Sequence, residues 1–344
     1  MESDECEFDS TWEDEHQNKT PRKKMYRRSR RNMYAAKDMQ DFRHSCQFLD
    51  YDDEEPVRDF FYNLEFYQGR IRSSPDNIHI DEFHKHWWGQ YGWLEEVHSY
   101  IQWLFPIQEQ GLNRWSHVLT KKEIKLFRRD KQALRNLVKS YEVMLDFYGI
   151  CLINIHTGEV RRAPNWRQRF KNLNRYTHNN LRITRILKCL GTLGLEHYQA
   201  PLVKFFLRET LVNAELSNVK QSVLDYFMFA VLNKSKRREL VGYAYKHFRP
   251  QEEFVWGPKK ILQKETSKEG CKTLYADEKS TNRSPAKAPP QREFNSKDVA
   301  SFIPYSNCNR SRTSPATVII YIVIISTILL SLLFSLIVIV TGVV

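Results

Sequence analysis

The sequence predicts an all-α fold: a compact domain of about eight to ten helices, with a disordered N-terminus, a flexible tether and one C-terminal transmembrane helix. Three observations predict it. Apolar residues between Pro56 and Lys260 recur at intervals of three and four, the period of a helix with one buried face. Strand-like composition is confined to the stretch CLINIHTGEV (151–160). The segment 316–344 carries no charge and is dense in Ile, Val and Leu.

The N-terminal region, residues 1–55, is predicted to be disordered because it is highly charged and poor in branched apolar residues. Its first sixteen residues contain eight Asp or Glu and no Lys or Arg. A basic run follows at Lys19–Arg31, with eight basic residues in thirteen. Such a run is typical of a nuclear import signal, of a contact with anionic lipid or RNA, or of a solvated tail. These interpretations remain open from the sequence.

The folded domain is predicted to extend over residues 56–260, and its first helices are defined by apolar stripes. Leu94, Val97, Ile101 and Phe105 share one face of a helix that Pro106 stops. This pattern predicts one continuous helix across the whole stripe.

Capping residues mark the next two helices. Thr120 and Glu123 have the spacing of a capping box, in which the hydroxyl accepts an amide proton and the carboxylate reaches back. Asp130 is expected to cap the following helix, which Gly149 ends. A small extended excursion with a turn at Thr157–Gly158 comes next.

Four further helices complete the domain. One is predicted from Asn180 to Leu193, with Gly194 in the left-handed position that ends a helix. Another starts around Pro201, a residue suited to the first helical turn. The segments NVKQSVLDYFMFAVL and SKRRELVGYAYKHF also have helical periodicity.

Residues 261–315 are polar and rich in Lys, Ser, Asn and Pro, which predicts a flexible tether. The following segment, 316–344, is predicted to be a tail anchor. As a helix its most apolar part, Val318–Val340, measures about 34 Å, against a bilayer hydrocarbon core of about 30 Å. Basic residues precede this span and none follow it, so we expect the N-terminal side in the cytosol or nucleoplasm. The endoplasmic reticulum or the nuclear envelope is the expected membrane.

The sequence holds no motif of a familiar catalytic or phosphate-binding site, such as GxxxxGK[ST], GxGxxG, GxSxG or HExxH. Its twelve glycines are also few for a fold that cradles phosphate. His84 and His86 are two residues apart, so they diverge on a helix, and no further ligand completes a metal set. We therefore expect no enzyme, no cofactor and no metal site.

A basic helical face is one candidate site. Arg182, Arg185 and Lys188 occur at intervals of three, and Arg162 lies upstream; we call these four residues the basic face. Such a row suits contact with the phosphates of a nucleic acid or with an acidic protein, but it is more often a solvated surface. Both interpretations remain open.

An aromatic stretch, His86–Pro106, is the second candidate site. It contains four of the eight tryptophans of the chain. Trp93, Ile101 and Phe105 have the spacing of core residues. Tryptophans also suit the walls of a peptide groove, because each offers a large apolar ring and one N–H donor. Core and groove are therefore both compatible with this stretch.

Several long phrases resemble the opioid growth factor receptor family. The most distinctive are HSYIQWLFP (98–106) and THNNLRITRILK (177–188), and the resemblance covers Arg58–Gly257. It implies an all-helical domain that acts as a receptor for opioid growth factor, the pentapeptide Met-enkephalin. It also implies a role in growth regulation at the nuclear envelope and nucleus. The resemblance supplies no ligand-binding residues.

Two functional hypotheses follow. In the first, Glu95 or Glu96 pairs with the ammonium group of the pentapeptide. Its aromatic rings then pack against Trp87, Trp88 or Trp103. In the second, the domain is a membrane-tethered interaction scaffold that binds protein or nucleic acid through the basic face, in a salt-dependent manner.

Overall fold

The computed structural model describes residues 11–12, 31–47 and 60–263, and these residues are mostly helical, as predicted. They contain twelve α-helical segments, more than the eight to ten expected, and one β-hairpin. The helices are α1 (Met33–Gln47), α2 (Tyr62–Tyr67), α3 (Ile80–His86), α4 (Tyr91–Glu96), α5 (Tyr100–Leu104), α6 (Lys121–Arg129), α7 (Lys131–Tyr148), α8 (Trp166–Arg175), α9 (His178–Thr192), α10 (Gln199–Leu207), α11 (Lys220–Ser222) and α12 (Lys234–His247). The hairpin pairs β1 (Ile150–Leu152) antiparallel with β2 (Val160–Arg162).

Short irregular turns extend two of these helices. Arg208–Val212 continues α10 in π geometry, and Val223–Phe227 continues α11 in the same geometry. None of the helices within residues 11–12, 31–47 and 60–263 is long and apolar enough to cross a bilayer. The predicted membrane span, 316–344, and residues 264–315 of the predicted tether lie outside the described residues.

Helix α1 corrects the prediction of disorder throughout residues 1–55. It buries Met39 and Phe42 at helical spacing. Arg43 Nη1 also donates a hydrogen bond to the carbonyl oxygen of Phe229 at 2.7 Å. A charged helix with few apolar residues is stable here because it packs on a surface formed by distant residues, which local composition does not reveal.

The predicted N-caps of α6 and α7, Thr120 and Asp130, are confirmed. Thr120 Oγ1 accepts the amide proton of Glu123 at 3.1 Å, and Asp130 Oδ1 accepts that of Ala133 at 2.8 Å. Gly149 ends α7 with a left-handed backbone (φ +79°). These local signals were readable because a cap depends on residues three or four positions apart.

The Glu123 side chain also contacts the neighbouring helix α2. Its carboxylate is buried and accepts the amide protons of Asn63 and Leu64, at 2.8 and 3.0 Å. One acidic side chain in the first turn of α6 therefore also caps the N-terminus of α2.

The single helix predicted across Leu94–Phe105 is two short helices, α4 and α5. Val97 between them has an extended backbone (φ −80°, ψ 135°). The carbonyl oxygens of Leu94 and Val97 accept hydrogen bonds from Arg182 Nη1 and Nη2, at 2.6 and 3.0 Å. The apolar spacing continues across this break, so the sequence pattern could not reveal it.

The predicted excursion after α7 is confirmed as the β1–β2 hairpin. Gly158 lies in its connecting turn with a left-handed backbone (φ +74°). A Cβ atom at this position would lie 2.7 Å from the carbonyl oxygen of His197, so the turn fits closely against the segment before α10.

Helix α9 lies in the interior of the domain and buries twelve of its fifteen residues. Gln199, at the start of α10, is fully buried beside it. Gln199 Nε2 donates to the carbonyl oxygens of Leu187 and Ala230, both at 2.9 Å, and Oε1 accepts the amide proton of Leu232 at 3.0 Å. One side-chain amide therefore connects three separate segments.

Candidate functional site

Helices α3 to α5 bring four aromatic rings together, and we call Phe83, Trp87, Trp93 and Tyr100 the aromatic corner. The Trp87 ring centroid lies 4.8 Å from that of Phe83, 5.4 Å from Tyr100 and 6.0 Å from Trp93. Phe83 and Tyr100 are buried, whereas Trp93 is 53% exposed. The corner therefore has a buried base and an outward-facing tryptophan.

Local backbone geometry explains this arrangement. Helix α3 ends at His86, and Gly89 then turns the chain with φ +78° into α4. Trp93 and Glu96 are three residues apart on α4, so their side chains lie on the same helical face. Glu96 is exposed and has no ion-pair or hydrogen-bond partner for its carboxylate among the described residues. The exposed ring and the carboxylate are thus neighbours on one surface.

Glu95, in contrast, is occupied by protein side chains. Its carboxylate accepts hydrogen bonds from Asn172 Nδ2 and, at 3.1 Å, from Asn179 Nδ2. His178 Nε2 lies 2.7 Å from Glu95 Oε1. Burial lowers the pKa of His178, Arg182 lowers it further, and Glu95 opposes both effects. Glu95 is therefore a structural residue that joins α4 to α8 and α9.

Trp103 does not contribute to the predicted aromatic wall. Trp103 is only 3% exposed, packs 5.2 Å from Phe66, and donates its indole N–H to the carbonyl oxygen of Ser74 at 2.8 Å. Trp88 is half-buried against the core. Among the five residues predicted for the peptide site, Trp87 and Glu96 belong to the surface around Trp93, and Trp103 does not.

The prediction that the basic face is an exposed surface is wrong. Arg182 is 5% exposed, and its guanidinium binds the end of α4 through the carbonyl oxygens described above. Arg185 Nε donates to the carbonyl oxygen of Phe105 at 2.7 Å, at the end of α5, and burial lowers its pKa to about 10. Lys188 is 3% exposed and lies 2.9 Å from Asp38.

Arg162 is likewise held by the fold. Its Nε donates to Glu209 Oε1 at 3.0 Å, and its guanidinium carbon lies 3.9 Å from the centroid of the Trp166 ring. The Glu209 side chain is fully buried. Helix α9 turns Leu181, which is 71% exposed, toward solvent, while Arg182 and Lys188 are buried.

An exposed basic row lies instead on α8, upstream of these residues. Arg167, Lys171 and Arg175 are spaced by four residues and are all exposed; we call them the outer row. Arg167 stacks over Trp166 at 4.8 Å, and Arg175 lies 5.3 Å from the ring of Tyr176. The available signal was the four-residue spacing, within a stretch (160–195) that contains no acidic residue.

No group of three or more His, Cys, Asp or Glu side chains is arranged for a metal ion in the described part of the chain. His84 is half-buried, and its Nε2 lies 2.9 Å from Ser140 Oγ. Burial and the nearby Lys139 lower the pKa of His84 to about 3. A cavity of about 10 Å³, lined partly by Tyr141 and Tyr148, holds no more than one water-sized group. This cavity is too small for a peptide.

Comparison with known proteins identifies the chain's relatives. Residues 57–263 match the conserved region of the opioid growth factor receptor. The opioid growth factor receptor of Mus musculus is 52% identical over 234 residues, which is 68% of this chain and 36% of the mouse protein. The human receptor is 50% identical over 237 residues, 68% of this chain and 34% of that protein.

A second group of relatives is named differently. Opioid growth factor receptor-like protein 1 of Rattus norvegicus is 47% identical over 239 residues, 70% of this chain and 50% of the rat protein. The chain thus spans about a third to a half of the length of the curated relatives it matches. No solved structure matches it. The residues matched, together with this identity, show that the chain belongs to the opioid growth factor receptor family.

Proposed function

We propose that this chain is a peptide receptor of the opioid growth factor type, which binds Met-enkephalin and takes part in growth regulation. Its relatives are named as opioid growth factor receptors. The observation that carries the proposal is the exposed Trp93 packed against Trp87, beside the Glu96 carboxylate, which has no partner among the described residues. An aromatic ring and a carboxylate on one face suit a peptide with a free ammonium group and aromatic side chains.

The recognition would use surface chemistry and no deep pocket. One peptide ring packs on Trp93, while the ammonium group pairs with Glu96 one helical turn away. His98 Nδ1 lies 2.7 Å from the backbone carbonyl oxygen of Glu96. Exposed charge pairs contribute about 0–1 kcal/mol, so the aromatic contact dominates the affinity.

The test is calorimetric titration of the full chain with Met-enkephalin. Trp93→Ala and Glu96→Gln should each weaken binding, the tryptophan change by more than tenfold and the glutamate change by less. Trp115→Ala is the matched control, since Trp115 is 66% exposed on a different loop. Absence of saturable binding would refute the receptor proposal, and equal binding by wild type and Trp93→Ala would refute this site.

A second candidate function is binding of nucleic acid through the outer row. The observation that favours it is the exposure of Arg167, Lys171 and Arg175 on α8, flanked by Trp166 and Tyr176. Cations at regular spacing suit phosphate contacts, and flanking aromatic rings suit base stacking. A single-stranded oligonucleotide should bind with strong salt dependence, and replacing all three residues with alanine should abolish that dependence. Salt-independent binding would exclude this candidate.

We further propose that the protein acts by binding, without catalysis, and that segment 316–344 anchors it in the endoplasmic reticulum or nuclear envelope. The apolar length of that segment supports the anchor. Imaging the chain with and without residues 316–344 tests the location, and a diffuse signal from the intact chain would contradict it. Glycosylation at Asn282 or Asn309 would contradict a cytosolic or nucleoplasmic N-terminal side.

A further inference from the structure

Two residues of the acidic N-terminal segment are buried in the helical domain. Thr11 and Trp12 are both 0% exposed, although they belong to a stretch (1–16) with eight acidic residues. Trp12 is part of the same hydrophobic core as the helices. A fully buried tryptophan in so polar a segment indicates a specific binding groove, because its neighbours in sequence give it no local core.

The groove that receives Trp12 is formed by α12 and the chain just after residue 256. The guanidinium carbon of Arg238 lies 5.2 Å from the Trp12 ring centroid. Trp12 Cζ2 would be 3.5 Å from a Cβ atom at Gly257, and Val241 and Leu262 would be 3.0 Å from the same atom. Gly257 therefore lies at the base of the groove, and aliphatic side chains surround it.

Two arginines hold the backbone and side chain of Thr11. Arg237 Nε donates to Thr11 Oγ1 at 2.8 Å, and Arg238 Nε donates to the Thr11 carbonyl oxygen at 2.9 Å. Arg237 Nη1 also donates to the carbonyl oxygen of Val231 at 2.6 Å. The Arg237 guanidinium is thus oriented by the domain itself, which prepares its Nε for the peptide hydroxyl.

The charges around this groove are complementary to the segment that fills it. Helix α12 carries Lys234, Lys236, Arg237 and Arg238 in its first five residues. The peptide has Asp9 before its Thr–Trp pair and three acidic residues, 13–15, after it. Thr11 and Trp12 belong to the same chain as the groove, so they compete intramolecularly with any added peptide.

We propose that this groove is a docking site for an acidic peptide containing a Thr–Trp motif, and that the chain's own Thr11–Trp12 occupies it as an intramolecular ligand. The indole ring supplies the apolar contact, the hydroxyl and carbonyl oxygen of Thr11 fix the register, and the flanking acidic residues favour the basic start of α12. This site is separate from the aromatic corner, so the docking proposal can be tested independently of peptide-receptor activity.

A competition experiment tests the proposal on the full chain. The probe is a fluorescein-labelled peptide of residues 7–16, and its binding is measured by anisotropy. Trp12→Ala empties the groove, so this variant should bind the probe at least tenfold more tightly than wild type, in which the intramolecular ligand competes. Trp115→Ala, which removes an exposed tryptophan elsewhere, should behave like wild type.

The same experiment has outcomes that overturn the proposal. A second probe carries alanine in place of the tryptophan that corresponds to Trp12, and it should not bind. If both probes bind equally, the contact is purely electrostatic and the proposal is wrong. Equal affinity of wild type and Trp12→Ala for the probe would also overturn it. A concentration-dependent dimer that Trp12→Ala dissociates would mean that the motif occupies the groove of a second copy.

A second variant protects the test against misfolding. If Trp12→Ala does not fold, Arg238→Gln is used, because it removes a donor to Thr11 and leaves the indole in place. Hydrogen exchange at Thr11 and Trp12 should rise at least tenfold in this variant, while exchange in α9 stays unchanged. Unchanged exchange at Thr11 and Trp12 would contradict the docking contact.

Discussion

Helices α8 and α9 both carry basic residues at helical spacing, yet the residues on α8 are exposed and those on α9 are largely buried. The outer row on α8 (Arg167, Lys171, Arg175) faces solvent. On α9, Arg182, Arg185 and Lys188, which we call the inner row, point into the domain and are largely buried. Periodicity therefore identifies which residues share a face, but it does not identify the direction of that face.

Burial of the inner row is stabilised because each cation donates hydrogen bonds to oxygen atoms of the protein. Arg182 binds carbonyl oxygens at the end of α4, and Arg185 binds one at the end of α5. The last turn of a helix leaves carbonyl groups without intrahelical partners and carries partial negative charge. Two short helices in succession thus create sites that buried arginines fill.

The largest effect is expected from breaking the inner row at Arg182. Arg182→Ala leaves the Val97 carbonyl oxygen without its donor and the Leu94 carbonyl oxygen with the Tyr100 hydroxyl alone. This change should lower the free energy of unfolding by about 3 kcal/mol. Arg175→Ala on α8 is the matched control, with a change of less than about 0.5 kcal/mol. Urea unfolding measures both. Equal losses would show that the two rows do not differ.

The next effect concerns Lys188, whose Nζ lies 2.9 Å from Asp38 and 2.8 Å from Glu109. Lys188→Ala should cost about 2.5 kcal/mol, less than Arg182→Ala because both carboxylates remain half-exposed to water. It should also raise hydrogen exchange in α1, which carries Asp38. Lys171→Ala is the control. Unchanged exchange in α1 would contradict a role for Lys188 in docking that helix.

His84 is a half-buried base with no acidic partner among the described residues. The pKa of His84 is lowered to about 3, so between pH 6.5 and 3 the unfolded chain binds a proton that folded His84 does not. The free energy of unfolding should therefore decrease as the pH is lowered through this window, by about 2 kcal/mol from pH 6.5 to pH 5. His84→Gln should remove this part of the slope, measured by urea unfolding at several pH values. The exposed His86→Gln should retain it.

The smallest effect on stability is expected for the outer row. Arg167→Ala, Lys171→Ala and Arg175→Ala should each change the free energy of unfolding by less than about 0.5 kcal/mol. Thermal unfolding at low and high salt measures this. A loss above 1 kcal/mol in any of them would assign the outer row a structural role like that of the inner row.

Local signals carried the correct part of the fold prediction. The caps at Thr120 and Asp130, the glycine stop at Gly149 and the limits of α9 depend on residues a few positions apart, so the sequence displays them directly. Helix α1 and the break at Val97 depend on partners far along the chain. Those partners could not be seen before the fold was known.

The candidate site was predictable only in its general position. Trp93, whose spacing is that of a core residue, is exposed. Glu95 and Glu96 are adjacent and chemically alike, yet one is held by Asn172 and Asn179 while the other is free of protein partners among the described residues. Only tertiary contacts distinguish them.

The buried amide of Gln199 has a consequence for how the domain opens. It bonds to α9 through Leu187 and to the chain at Ala230 and Leu232, so none of these segments can separate without leaving a buried polar group unpaired. They should therefore exchange their amide hydrogens as one cooperative unit, with a single opening free energy. A substitution that destabilises any one of these segments should destabilise all three. The interior of this domain should then unfold in a single step.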